Sequence, residues 1–129
     1  MDENPLAVHY ESIMLALCVW REAQGEPYEG QVAVAHVIRN RMADKRWPKT
    51  LSGVVLQPKQ FSCFNAGDPV AARFPAPTDP SWIACCKAAC ATHDPSCGAN
   101  HYHTVSVSPK WRTDSKVTAR IGRHIFYRL

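Results

Sequence analysis

Three glutamates occur within twelve residues, in the segment WREAQGEPYEGQ (20–31). Glu22 follows eight apolar residues, IMLALCVW (13–20), and precedes Gly25 and Pro27, two residue types that disrupt helices. A carboxyl group that leaves a buried face at a helix C-terminus has a raised pKa, because burial and the helix dipole both disfavour its charged form. Such a group can protonate the leaving oxygen of a glycosidic bond. Position alone leaves open a solvated glutamate at a helix end.

The other two glutamates of the segment are predicted to have structural roles. Glu26 lies in the turn between Gly25 and Pro27, where it can bond to free amides. Glu29 falls in the first turn of the next helix, where a negative charge complements the helix dipole. The segment therefore offers one candidate acid and two candidate supports.

A second group of reactive side chains is His101-Tyr102-His103. In a strand, the two histidines share one face and Tyr102 lies on the other. An H-x-H pair can bind zinc, but the remaining histidines and cysteines stand at no zinc-specific spacing. The alternative is a polar cleft wall that bonds to sugar hydroxyls. We expect this second role, with no metal and no cofactor; Cys63 is a weak candidate nucleophile.

The elements that position these residues follow from periodicity and helix breakers. Helices are predicted over residues 5–23, 29–45, 50–56 and from Asp79 or Ser81 to about 93. QFSCF (60–64) and HYHTVSV (101–107) are predicted strands, and the chain from Lys116 begins helically before RIGRHIFYRL (120–129) alternates as a strand does. The fold class is α+β: about four helices around a buried first helix, with two or three short antiparallel strands.

Length and charge set further limits. A chain of 129 residues is one domain, 1–129, without room for a second module. The acidic, polar N-terminus is not a signal peptide, so synthesis in the cytosol and reduced cysteines are expected. The net charge is +4, and residues 108–129 hold six bases against one acid. A basic surface suits nucleic acid, lipid headgroups or bacterial envelope polymers, and it equally suits plain solubility.

The order of motifs resembles the SleB/CwlJ-type cell wall hydrolases, which include spore-cortex-lytic enzymes and phage endolysins. The resemblance rests on REAQGEPYEGQVAVAHVIRNRM (21–42), TLSGVV (50–55), QPKQFSCF (57–64), HYHTVSVSP (101–109) and IGRHIFYR (121–128). It implies a lysozyme-like fold and cleavage of the MurNAc–GlcNAc bond of peptidoglycan, with Glu22 as the catalytic acid/base. The closing motifs resemble the phage branch in particular.

Two routes to bond cleavage stay open. A lytic transglycosylase needs only Glu22 and forms a 1,6-anhydro end, whereas a muramidase needs a second carboxylate; we favour the first. We expect Gln60, Phe61 and Ser62 to lie beside the cleft, and Tyr102, or His101 and His103, to bind sugar. More distant alternatives are a zinc amidase or peptidase using His101 and His103, and a non-enzymatic wall-binding or virion protein.

The resemblance also implies a partner and a setting. Peptidoglycan glycan strands are the expected partner, with anionic envelope surfaces as a possible second partner for the basic C-terminal region and no nucleic acid. We expect a monomer that is made in the host cytoplasm and reaches the wall after holin-type release.

Overall fold

The computed structural model describes residues 4–58, 60–64 and 67–129. The helices there are α1 (Ala7–Ala23), α2 (Tyr28–Met42), α3 (Leu51–Val55) and α4 (Pro80–Cys90), and the strands are β1 (His101–Thr104), β2 (Val117–Ile121) and β3 (His124–Tyr127). Single 3-10 turns cover Ser62–Phe64, Pro69–Ala72 and Asp114–Lys116. The predicted α+β class is confirmed. Among these residues, no helix combines the length and the apolar character that crossing a membrane requires.

The second half of α1 is buried on all sides, as its composition predicts. Every residue from Leu15 to Trp20 is buried, and the helix packs against α4, α3 and α2. The helix ends after Ala23, where the Gln24 N–H bonds to the Trp20 carbonyl and Gly25 follows. Glu22 therefore occupies the last turn of a buried helix.

Helix α2 is buried to the same extent, which its sequence does not predict. The spacing of Val34, Val37, Ile38 and Met42 predicts one apolar side, with Arg41 pointing elsewhere. In the structure Gly30–Ile38 are all buried and Arg41 is only 6% exposed. The reason is that α2 packs against α1, α4, α3 and β1. Arg41 Nε donates to the Asn100 carbonyl at 2.7 Å, and this hydrogen bond offsets the unfavourable burial of the guanidinium.

The three strands form an antiparallel sheet in the order β1-β3-β2. Tyr102 lies opposite Phe126, and Thr104 lies opposite His124. Strand β1 is shorter than predicted and ends at Thr104. The helical start predicted from Lys116 is wrong, because the 3-10 turn Asp114–Lys116 ends there and β2 begins at Val117. The β2–β3 hairpin turns through Gly122, whose φ is +56°. All four residues of β3 are buried, so the sheet is a covered layer.

The predicted strand at residues 60–64 is wrong. The segment contains a 3-10 turn in which the Phe64 N–H bonds to the Phe61 carbonyl at 3.1 Å. Phe61 and Cys63 both point into the core, so the alternation that suggested a strand comes from one turn of chain pressed against the helices. Further on, Asp79 caps α4 as predicted, accepting from the Ser81 N–H at 2.9 Å.

Helix α4 ends at Cys90, earlier than expected, and the chain is extended from Ala91. Two side chains of α2 bond to carbonyl groups at this end: Arg39 donates to Ala89 at 2.8 Å, and His36 lies 2.9 Å from the Ala91 oxygen. Of the six cysteines, which are all free, three are buried, namely Cys18, Cys63 and Cys85.

Candidate active site

The carboxyl group of Glu22 is half-buried in the last turn of α1. Burial raises its pKa, and the negative charge of Asp68 raises it further. A hydrogen bond from the Cys63 thiol acts in the opposite direction, since it favours the charged form. The direction predicted from the sequence is therefore seen, and its main cause is burial. Glu22 has the properties of an acid that holds its proton at higher pH than an ordinary carboxyl group.

The loop after α3 forms one side of this site, and Arg21 attaches the loop to α1. The Arg21 guanidinium donates to the Cys63 carbonyl and to the Arg73 carbonyl, each at 3.1 Å. Its plane lies against the rings of Phe64 and Phe74, with centroids at 4.9 and 4.8 Å. Arg21 precedes Glu22 in the helix, so the loop is fixed directly beside the acid.

Tyr102 of β1 is also close enough to Glu22 to respond to its charge. Its ring lies against the core, and burial together with the nearby charge of Glu22 raises the pKa of its hydroxyl group well above the usual value. Tyr102 is therefore a neutral phenol in the same electrostatic environment as Glu22. The sequence predicts Tyr102 and the two histidines on different faces, and the structure turns the Tyr102 face toward Glu22.

Arg41 lies beneath this site and connects it to the 60–64 turn. Its guanidinium lies over the rings of Trp47 and Phe61, at 5.3 and 5.4 Å, and Nη1 donates to Gln60 Oε1 at 3.4 Å. Gln60 is exposed, whereas Phe61 is 3% exposed and supports the site from within. Ser62 lies in the turn, and its side chain is outside the described part of the chain.

His101 and His103 lie on the other face of β1, where both contact Trp111. His103 is 6% exposed, and both of its ring nitrogens are occupied: Nδ1 donates to the Thr104 carbonyl at 2.7 Å, and Nε2 accepts from the Tyr127 hydroxyl at 2.6 Å. His103 therefore lies in the interior of the sheet layer and is not positioned to bind a sugar.

His101 is more accessible than His103 and half-buried. Its Nδ1 donates to Asn100 Oδ1 at 2.8 Å, and its ring contacts Trp47. Burial, together with the charges of Arg41 and Arg46, lowers the pKa of His101 to about 4. The ring is therefore neutral near pH 7. Across residues 4–58, 60–64 and 67–129, no three His, Cys, Asp or Glu side chains are grouped to hold a metal ion.

The sequence did not point to several neighbours of Glu22. Cys63 and Asp68 influence the pKa of Glu22, and Arg21 fixes the adjacent loop, but no motif assigns them these roles. The one available signal was their placement beside motifs, since Arg21 precedes the acid and Cys63 follows Gln60 by three residues.

Comparison with known proteins identifies the family. The profile of the cell wall hydrolases matches residues 25–127, most of the chain. The chain belongs to the cell wall hydrolase family. Glu22 lies just before the matched range, so its assignment depends on geometry and on the motif around it.

Among related members of the cell wall hydrolase family are spore cortex-lytic enzymes. The chain is 36% identical over 114 residues to that of Halalkalibacterium halodurans and 36% identical over 115 residues to that of Bacillus subtilis. These alignments cover 88% of this chain but only 33% and 36% of the two relatives. The chain thus spans about a third of the length of these curated relatives.

Two solved structures of the same family share the fold. The catalytic domain of the Bacillus cereus SleB protein superposes with a TM-score of 0.70 at 34% identity, covering 92% of this chain and 91% of that chain. The catalytic domain of the germination-specific lytic transglycosylase SleB from Bacillus anthracis gives 0.72 at 33% identity, covering 92% and 93%. The predicted SleB/CwlJ-type relationship and the lysozyme-like fold are confirmed.

Proposed function

We propose that this chain cleaves the MurNAc–GlcNAc bond of peptidoglycan as a lytic transglycosylase, with Glu22 as general acid and then general base. The observation that carries the proposal is the half-buried Glu22 carboxyl, whose pKa burial raises, at the end of α1 and beside Tyr102. The similarity to the catalytic domain of a lytic transglycosylase supports the same reaction.

The reaction needs one carboxyl group in two protonation states. Protonated Glu22 donates its proton to the glycosidic oxygen as the bond from that oxygen to C1 of MurNAc breaks. The resulting Glu22 carboxylate accepts the proton of the C6 hydroxyl of the same sugar. The C6 oxygen then bonds to C1 and gives a 1,6-anhydro end, and no water is consumed. Glu22 ends the cycle protonated, as it began.

The surrounding residues would bind and orient the sugars. The Tyr102 hydroxyl, whose pKa burial and the nearby charge of Glu22 raise, would donate to a sugar oxygen as charge develops there. Gln60 is exposed beside it, with its amide oxygen held by Arg41. On the other face of β1, the neutral His101 and the exposed ring edge of Trp111 offer a second contact with glycan.

A muramidase route is the second candidate, because one further carboxylate does lie near the acid. Asp68 is close enough for its charge to raise the pKa of Glu22. Its Oδ1 also accepts from the Val70 N–H at 2.9 Å, where it caps a 3-10 turn. This capping role makes Asp68 less available as a base for water. The single-carboxylate route therefore remains our proposal.

The product of digestion separates the two routes. Mass spectrometry of digested peptidoglycan should show anhydro-muropeptides, whereas reducing-end MurNAc would establish hydrolysis. Intact glycan chains with cleaved peptides would instead indicate an amidase or peptidase. A wall that stays undigested would indicate a non-enzymatic binding protein.

Substitution of the acid tests its role directly. Glu22→Gln should lower the rate of glycan cleavage by at least ~10²-fold, because an amide cannot donate a proton in this step. Glu29→Gln is the matched control: Glu29 is exposed and, within the described part of the chain, its side chain pairs with His93 alone, so its loss should leave the rate unchanged. A folded Glu22→Gln variant of near wild-type activity would refute the assignment.

The setting of this activity is also proposed. The bases of residues 108–129 are all exposed: Lys110, Arg112, Lys116, Arg120, Arg123 and Arg128. They suit an anionic envelope surface. Together with the phage-like closing motifs, they support an endolysin that is made in the host cytoplasm and acts on the wall after release.

A further inference from the structure

A buried polar pair connects α1 to the sheet, and the proposed reaction does not use it. The Glu26 side chain is 6% exposed and the His124 side chain is 4% exposed. Glu26 lies in the turn after α1, and His124 is the first residue of β3. Burying two polar side chains is unfavourable unless they are bonded or perform a task, so the pair calls for an explanation.

Glu26 is bonded to the hairpin, and His124 is held close to it. Glu26 Oε1 accepts from the Arg123 N–H at 2.8 Å and lies 3.8 Å from His124 Nδ1. This His124 nitrogen is buried without a hydrogen-bond partner among the described residues. Glu26 thereby fixes the start of β3. The His124 ring is then free to contact side chains of the sheet.

The His124 ring packs against Tyr102. Their centroids are 4.9 Å apart with an interplanar angle of 55°, and Phe126 lies 5.8 Å from Tyr102 and 6.0 Å from His124. His124 and Phe126 are two residues apart on one face of β3, and the pairing of Tyr102 with Phe126 makes His124 its diagonal neighbour. Two rings of β3 therefore fix the direction of the Tyr102 side chain.

We propose that His124 is a positioning residue for the active site. Its ring holds the Tyr102 hydroxyl toward Glu22, and Glu26 keeps the His124 backbone in place. Of two glutamates four residues apart, Glu22 performs the chemistry and Glu26 anchors β3, the strand that aligns Tyr102. This inference rests on the proposed function, because it requires Tyr102 to act in glycan cleavage.

Two substitutions separate the ring from the nitrogen. His124→Phe keeps an aromatic ring against Tyr102, and His124→Asn keeps a polar group facing Glu26 but removes the ring. Because small displacements of an aligned group reduce turnover strongly, H124N should lower kcat by about tenfold or more with little change in KM. H124F should retain most of the wild-type kcat. Equal losses in the two variants would overturn the inference.

A double-mutant cycle tests whether His124 acts through Tyr102. In a Tyr102→Phe background, H124N should lower kcat by less than about twofold more, since the hydroxyl that it positions is gone. Independent, multiplying losses would overturn the inference, and so would full activity of Y102F. His124→Leu replaces H124N if thermal unfolding shows that H124N is not folded. Failure of the proposed function appears separately, as a wild-type digest without anhydro ends.

Discussion

Replacing Gly122 with alanine measures how tightly the sheet is held to the end of α1. Gly122 has a φ of +56°, and a Cβ at this position would lie 2.7 Å from Glu26 Oε1 and 2.8 Å from Pro27 Cδ. Both distances are shorter than Cβ contacts in real proteins. The proline ring cannot rotate away, so the hairpin must move.

The expected loss has two parts. An alanine in the left-handed region costs about 1 kcal/mol. Moving the hairpin also weakens the bond from the Arg123 N–H to the Glu26 carboxylate, and bonds of this charged kind contribute about 2 kcal/mol. The free energy of unfolding of Gly122→Ala should therefore fall by about 3 kcal/mol. For a domain of this size, that corresponds to a decrease in Tm of roughly 12 °C.

Urea unfolding followed by circular dichroism provides the measurement, with Gly98→Ala as the matched control. Gly98 has a φ of +84°, but a Cβ there would lie 3.6 Å from Arg128 Nη1 and 3.9 Å from Arg128 Cδ, which are ordinary contacts. Gly98→Ala should therefore lose only about 1 kcal/mol, from the backbone alone. If the two variants lose the same free energy within about 0.5 kcal/mol, the contact with Glu26 and Pro27 does not hold the hairpin, and the reasoning is refuted.

Two further predictions concern pH. Cys63→Ala removes a hydrogen bond that lowers the pKa of Glu22, so the alkaline limit of activity should move to higher pH in a pH–rate profile. Asp94→Asn should lower the free energy of unfolding at pH 7 by about 2 kcal/mol, because Oδ2 accepts from both Asn40 and Gly98 and an amide nitrogen cannot accept. Hydrogen bonds from Ser96, Asn40 and Gly98 outweigh burial and lower the pKa of Asp94, so denaturation midpoints should show the difference shrinking as pH falls below about 4.

Each of the two pH predictions has its own control. Cys63→Ser retains a donor, so its alkaline limit should stay near that of the wild type; an unchanged limit in Cys63→Ala would show that the thiol does not influence Glu22. For Asp94, an equal stability difference at pH 3 and pH 7 would show that the charge of the carboxylate does not contribute.

Local features of the sequence predicted where Glu22 lies and in which direction its pKa shifts. An apolar run followed by Gly25 and Pro27 ends a helix at a defined place, and this placed Glu22 at the end of a buried helix with a raised pKa. Alternation along β1 likewise separated Tyr102 from His101 and His103. Both inferences depend on neighbours within a few residues.

Features that depend on how distant elements pack together could not be predicted from the sequence. Nothing local shows which face of β1 packs against the core, or that the Arg41 guanidinium lies over the rings of Phe61 and Trp47. The 60–64 segment has too few residues to distinguish a strand from a turn by alternation alone. Glu26 does accept from a backbone amide, as its place in the turn predicts, but that amide belongs to Arg123, 97 residues away in sequence.

The distance in sequence between Glu26 and Arg123 has a consequence for the order of folding. Helices form from local contacts, whereas pairs separated by most of the chain require closure of a long loop and form late. A chain with only its helices folded would have Glu22 in place without Tyr102 facing it. Under the proposed mechanism, activity requires the docked sheet, so the rate at which activity appears during refolding would report this last step.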